Sequence, residues 1–198
     1  YMFFTISTPS FNNTFDYGSA EGWTRKSGGT WSVYALSYYT EGLPDKWTTA
    51  YYKPGQFTDF DYTAQFYRYG NDPTYLAVRM GSTVASANGA WYPGYLFGYT
   101  NDGLFMVRRY NASGAQTLTQ ISTTGAIAKN SWNTLRVRAV GNEFWFYING
   151  TLVYNFVDTT AGKRSRGYIG IATYRSSSSS TNGLFVAYAK LDVIKTPQ

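Results

Sequence analysis

The chain has 198 residues and a formal net charge of +6, with 43% hydrophobic, 20% aromatic and only 14% charged residues. That length and apolar content fit one large domain with a sizeable core, and they exclude a disordered polyelectrolyte. The absence of Cys and His excludes disulfides, thiolate nucleophiles, imidazole acid–base chemistry and ordinary zinc centres.

Taken in chain order, the opening YMFFTIS, Tyr1 to Ser7, is strand-like but stands apart from the pattern that begins near Phe15. Residues 1–10 are therefore expected to form an N-terminal segment and residues 11–198 a single β-sandwich domain. From Phe57 to Tyr67, Phe60, Tyr62, Ala64 and Phe66 alternate with Asp59, Asp61, Thr63 and Gln65. From Tyr75 to Met80, Leu76, Val78 and Met80 alternate with Tyr75, Ala77 and Arg79. Next comes ANGAWYPGY, a Gly/Pro-rich loop carrying Trp91 and Tyr92, and then YLFGY and LFMVRRY joined through Asp102-Gly103. Leu135, Val137 and Ala139 alternate with Thr134, Arg136 and Arg138, and Phe144, Phe146 and Ile148 with Glu143, Trp145 and Tyr147. Asn149-Gly150 between EFWFYI and TLVYNF is the strongest hairpin signal. Period-two alternation predicts strands with one buried and one wet face, and no segment has the period of an amphipathic helix. Regular short strands with such turns predict an all-β, antiparallel sandwich or barrel. The serine tract Ser176 to Ser180 reads as a flexible loop. Lys163, Arg164 and Arg166 read as a solvated basic loop rather than a nucleic-acid surface. No run approaches the roughly 18 apolar residues of a membrane span.

The landmarks have a recognisable order: Phe15-Asp16, Gly22-Trp23, Gly29-Thr30-Trp31-Ser32-Val33, then SWNTLRVRAVGNEFWFYINGTLV, GYIGIATY and AYAKLDVI. This order resembles the concanavalin-A-like lectin/glucanase superfamily, especially its laminin-G-like and three-keto-disaccharide-hydrolase-like branches, over roughly Phe11 to Ile194. The resemblance implies a jelly roll of two antiparallel sheets, one of them concave and sugar-binding. It also implies a structural calcium ion tying the N-terminal loop to the last strand, with Asp16, Glu21 and Asp192 at the matching positions.

Glycosidases of this superfamily carry a Glu-x-Asp-x-x-Glu strand, which the chain lacks, and related lyases use His or Tyr as base. Asp59 and Asp61 share a strand face, as a catalytic pair of carboxylates would, and equally read as solvent-facing strand acids beside Lys or Arg. Sugar binding needs flat rings for pyranose faces and fork-like donors for hydroxyls. The wet faces and the Trp91 loop offer Tyr67, Tyr75, Arg79, Trp91, Tyr92, Tyr95, Tyr99, Trp145 and Tyr147 for this, with Arg79 as the anchor. Asn12, Asn111 and Asn149 begin glycosylation sequons. The expected function is a secreted, non-catalytic, lectin-like module whose partner is a glycan or polysaccharide. A self-associating subunit of an extracellular filament or adhesin, adding YMFFTIS to a neighbour's sheet edge, is the alternative. A polysaccharide-active enzyme is a second alternative.

Overall fold

A computed structural model describes residues 8–178 and 183–195. Its architecture follows from the alternation. In β6 (Phe60–Tyr69), Phe60, Tyr62, Ala64 and Phe66 are fully buried, while Asp61, Thr63 and Gln65 stay half-exposed. β13 (Asn133–Val140) and β14 (Glu143–Ile148) do the same, burying Leu135, Val137 and Ala139, and Phe144, Phe146 and Ile148. Side chains that alternate across a strand can bury one set together only against a second sheet.

Two antiparallel sheets result. The first runs β15 (Thr151–Val157), β14, β13, β6, β17 (Gly183–Val193), β4 (Ser37–Thr40) and β3 (Ser32–Tyr34), with β1 (Phe11–Asn13) also beside β17. The second runs β12 (Gln116–Thr123), β11 (Leu104–Tyr110), β10 (Gly94–Tyr99), β7 (Thr74–Met80), β16 (Tyr168–Arg175), β5 (Lys46–Tyr52) and β2 (Trp23–Ser27). β8 (Thr83–Val84) and β9 (Trp91–Tyr92) form a separate short hairpin. None of the described residues is helical, and the molecule is the expected all-β concanavalin-A-like sandwich. β17 lies inside the first sheet, paired along its length with β6 on one side and with β4 and β1 on the other.

The Asn149-Gly150 turn joins β14 to β15 as the sequence predicts, with φ of +48° and +82°. Two successive left-handed residues match the twist of a tight hairpin. The Asn149 side chain locks it, its Oδ1 accepting from Thr134 N and its Nδ2 donating to Ala126 O and Asn133 Oδ1.

The expectation of one wet face fails at β7, where all seven residues are buried. Leu76 and Val78 enter the core between the sheets, while Tyr75, Ala77 and Met80 join a second core on the far side of their sheet. The cause is the segment 81–94, whose hairpin folds back over that side. The Trp91 Nε1 donates to Gly81 O at 2.8 Å, and its ring sits so close over Gly170 that a Cβ there would come within 2.7 Å of it. Residues 1–7 of the N-terminal segment and residues 179–182 of the serine loop lie outside the described residues.

Candidate functional site

Arg79 sits inside the protein, with no exposed surface. Its Nε and Nη2 donate to Thr58 O at 3.1 and 2.7 Å, and its Nη1 to Gly141 O at 2.6 Å and Arg164 O at 2.9 Å. Asp59 lies 3.4 Å from Nη2 and the Phe144 ring 4.9 Å from the guanidinium carbon. Burial lowers the guanidinium pKa, and the Asp59 charge opposes that shift. The side chain ties three loops to the end of β7, so its expected role as a ligand anchor is corrected to a structural one. The basic loop is correspondingly less free than its charge suggests, because Arg164 is half-buried and its Nε donates to Arg79 O at 2.7 Å.

Four predicted ring residues are also internal: Tyr75, Trp91, Tyr95 and Tyr99 are each 2% exposed or less. Tyr75 donates to the sulfur of Met106, and Tyr95 donates to Asp158 at 2.5 Å. A tyrosine whose hydroxyl finds a buried partner is a core residue, which alternation alone cannot distinguish from a wet one. Tyr92 is half-buried on the flap that covers the second sheet, its ring against Gly114. Tyr67, Trp145 and Tyr147 are half-exposed, on strands of the first sheet.

That open outer face carries the most ligand-like arrangement. Phe185 of β17 stands opposite Tyr67 of β6 on one side and Tyr39 of β4 on the other. Cross-strand partners on one sheet face touch, and the Tyr39–Phe185 and Tyr67–Phe185 ring centroids are 4.5 and 6.5 Å apart. Tyr34, Tyr69 and Trp132 extend the row: Tyr34 lies 5.7 Å from Tyr39, Tyr69 lies 5.3 Å from Tyr67, and Trp132 lies 5.6 Å from Tyr67. Tyr34, Tyr69 and Trp132 are 61%, 53% and 40% exposed, so the row is an open surface and not a filled core. Farther along the same face, six residues from Tyr67 on β6, Asp61 is held between Arg136 and Arg138, and Arg136 lies 4.6 Å over the Tyr147 ring. In the row itself, Tyr39 Oη donates to Glu41 at 3.2 Å, on the wall of a cleft of about 520 Å³.

Asp59 and Asp61 do not form a pair facing one bond. Asp61 is engaged by two guanidiniums, and Asp59 accepts from Gly141 N at 2.9 Å as well as from Arg79. The proposed calcium ligands fit no better. Among the described residues no three acidic side chains gather to hold an ion. Asp192 is drawn into β17, where it pairs with Lys190 at 3.0 Å and is 58% exposed. Asp16, Glu21 and Asp192 therefore do not build an oxygen cage. Of the sequons, Asn12 is exposed on β1 and Asn111 caps its own turn, with Oδ1 accepting from Ser113 and Ala115. Asn149 is a poor acceptor site, because its Nδ2 is committed to two hydrogen bonds that hold the hairpin.

Comparison with solved structures places the fold. A carbohydrate-binding module, CBM66 from Bacillus subtilis, superposes with a TM-score of 0.67 at 19% identity, over 86% of this chain and 95% of its own. The Bacillus licheniformis β-glucanase gives 0.65 at 11% identity, over 96% of this chain and 100% of its own. The exoplasmic/lumenal domain of VIP36, in a form bound to Ca2+ and Man3GlcNAc, gives 0.67 at 13% identity, over 94% and 90%. No curated protein sequence matches the chain. A family model does match, over residues 10–182, and the chain belongs to the family of 3-keto-alpha-glucoside-1,2-lyase-like domains.

Proposed function

We propose that this protein is a carbohydrate-binding domain that lays a glycan across the outer face of its first sheet. The observation that carries the reading is the row of six touching rings, Tyr34, Tyr39, Phe185, Tyr67, Tyr69 and Trp132, left open to solvent across four adjacent strands and the start of a fifth. Leaving a ring half-exposed forgoes about 1 kcal/mol of burial. A contiguous apolar patch on an otherwise polar sheet is the mark of a surface that something else covers. Pyranose rings present flat CH faces at a spacing suited to such rows, while Asp61, Gln65, Arg136 and Arg138 supply hydrogen-bond partners on the same face. Trp145 and Tyr147 extend the same face. The reading takes the chain from residue 11 onward as one binding domain, non-catalytic, extracellular and independent of metal. The low charge density and the engagement of Asp59 and Asp61 by guanidiniums support it.

The test is a glycan array and an insoluble-polysaccharide pull-down, with wild type beside Tyr67→Ala and Trp132→Ala. Each substitution is expected to weaken binding roughly fivefold or more with the fold intact, since stacking on one ring is worth on the order of 1 kcal/mol. Binding that survives both substitutions, or a clean negative across plant, algal and microbial glycans, refutes the reading. A second reading is self-association by strand addition. β15, an edge of the first sheet, reads TLVYNFV without a charge or a proline, and Leu152 and Val157 are 47% and 46% exposed. Sedimentation across a concentration range distinguishes the two, because strand addition predicts polymers that form without glycan.

A further inference from the structure

Next to Tyr39 of the ring row the surface falls into two adjoining clefts. The first, of about 520 Å³, is lined by Arg25, Thr30, Tyr39 and Glu41. The second, of about 340 Å³, is lined by Arg25, Lys26, Lys46, Trp47 and Ser86. Arg25, Gly28 and Leu43 line both, so the two are neighbours that share a wall. Both volumes fall in the roughly 300–1,000 Å³ range of small-ligand sites.

Three cations converge on this cleft. Six others pair with acids: Arg68 with Asp72, Arg79 with Asp59, Arg109 with Asp158, Arg136 and Arg138 with Asp61, Lys190 with Asp192. Arg25, Lys26 and Lys46 form no such pair among the described residues. Arg25 donates one nitrogen to Gly28 O at 2.9 Å, Lys46 donates to Ala87 O, and the Lys26 ammonium lies 5.4 Å from the Tyr51 ring centroid. Burial lowers the pKa of Lys26, the expected result of crowding an ammonium against protein without a counter-charge. Glu41 is the one acid on the walls, at the Tyr39 end, where it accepts from that hydroxyl.

We propose that this cleft binds the anionic group of an acidic sugar, a uronate carboxylate or a sulfate ester, on a polysaccharide whose neutral ring faces lie along the adjoining row. The guanidinium fork of Arg25 suits a planar carboxylate or a sulfate edge, and the two ammoniums supply point charges that need no fixed direction. The buried Trp47 indole gives the second cleft an apolar wall. The identity of the polymer rests on the stacking reading above, whereas the anion site stands on the unpaired cations alone.

Affinity electrophoresis in gels holding polygalacturonate, κ-carrageenan or a neutral β-glucan tests it. The wild type is compared with Arg25→Ala, with the double variant Lys26→Ala/Lys46→Ala, and with Lys163→Ala/Arg166→Ala as a control for general positive charge. The expected result is retardation by an acidic polymer that falls roughly tenfold or more in the cleft variants, weakens with added salt, and is little changed in the control. Preference for polygalacturonate assigns a carboxylate, and preference for carrageenan a sulfate. Absence of retardation by either acidic polymer overturns the proposal, as does equal loss in cleft and control variants. Binding of the neutral polymer that depends on Tyr67, with no acidic preference, overturns the anion site and leaves the stacking reading intact. Acidic binding that depends on Lys26 and Lys46 but not on Tyr67 does the reverse.

Discussion

Replacing Arg79 by alanine is expected to cost stability and leave glycan affinity per folded molecule unchanged. The substitution removes four hydrogen bonds to backbone carbonyls and strands the oxygens of Thr58, Gly141 and Arg164 around a protein-lined hole. Each stranded acceptor costs about 1–3 kcal/mol. Release of the guanidinium from its own desolvation, and entry of water into the hole, offset part of that sum. Breaking a buried charged network by removing one partner nets about 3–5 kcal/mol, which for a chain of this size is a fall in Tm of about 6–20 °C. Urea denaturation followed by tryptophan fluorescence should show a lower midpoint with the slope unchanged. Arg79→Lys should fall between, since an ammonium keeps the charge but cannot reach all three loops. A midpoint shift below about 1 kcal/mol with glycan binding lost would mean that the guanidinium faces ligand, and would refute the structural assignment.

Other outcomes follow from the same contacts. Burial pushes Tyr38 and Tyr99 up to about 12 from the ordinary 10.0. A raised folded pKa makes their contribution full below pH 10 and lost as pH climbs from 10 toward 12, so the protein should unfold cooperatively in that window. Reversible titration of every tyrosine near pH 10 with the near-ultraviolet dichroism intact would contradict the burial. The Asp158 carboxyl is held below its ordinary range: burial opposes ionisation, but hydrogen bonds from Thr160 and Tyr95 and the Arg109 charge outweigh it. Its stabilisation is therefore present at neutral pH and lost in acid, and Asp158→Asn should flatten the acid limb of a stability–pH curve. Asn149→Ala, which puts alanine at φ +48° and removes three hydrogen bonds, should cost about 1–3 kcal/mol by chemical denaturation. Chelator should leave Tm unmoved, and a calcium-dependent rise would show that Asp16, Glu21 and Asp192 gather after all.

The fold was legible wherever one face of a strand met water. Phe60 to Phe66, Leu135 to Ala139 and Phe144 to Ile148 alternate because their outer faces are open, and Asn149-Gly150 announces its turn through residues that tolerate positive φ. The wet face expected of β7 is absent because the flap 81–94 covers the outer side of its sheet, a tertiary event that leaves the local pattern of β7 unchanged. Arg79 and Tyr95 look polar in sequence and are internal because backbone carbonyls and Asp158 satisfy them. The ring row was invisible for a related reason. Tyr39, Tyr67 and Phe185 are neighbours only through the register of three strands drawn from distant parts of the chain, and β3 and β4 are too short to show a period. The outward direction of Tyr67, Trp145 and Tyr147 is legible because they sit on strands long enough to show a period. The basic cleft left little local signal, since Arg25 and Lys26 of β2 meet Lys46 of β5 only through the fold and it is the convergence of the three without a paired acid that marks them.

The position of β17 has a consequence for how the molecule is made. The strand that fills the middle of the first sheet comes from residues 183–193, whereas its neighbours β4 and β6 are complete by residue 69. During synthesis those two wait with open edges for more than half of the chain, and a product stopped short of Gly183 keeps β6, ten residues long and apolar on one face, as a template for any passing strand. Premature termination therefore yields a sticky fragment rather than a smaller domain. By the same logic the gap is selective: a peptide spanning 183–195, supplied separately, has a slot of matching register waiting for it. Cutting the gene at that point would give a two-part complementation system whose signal is the completed sheet.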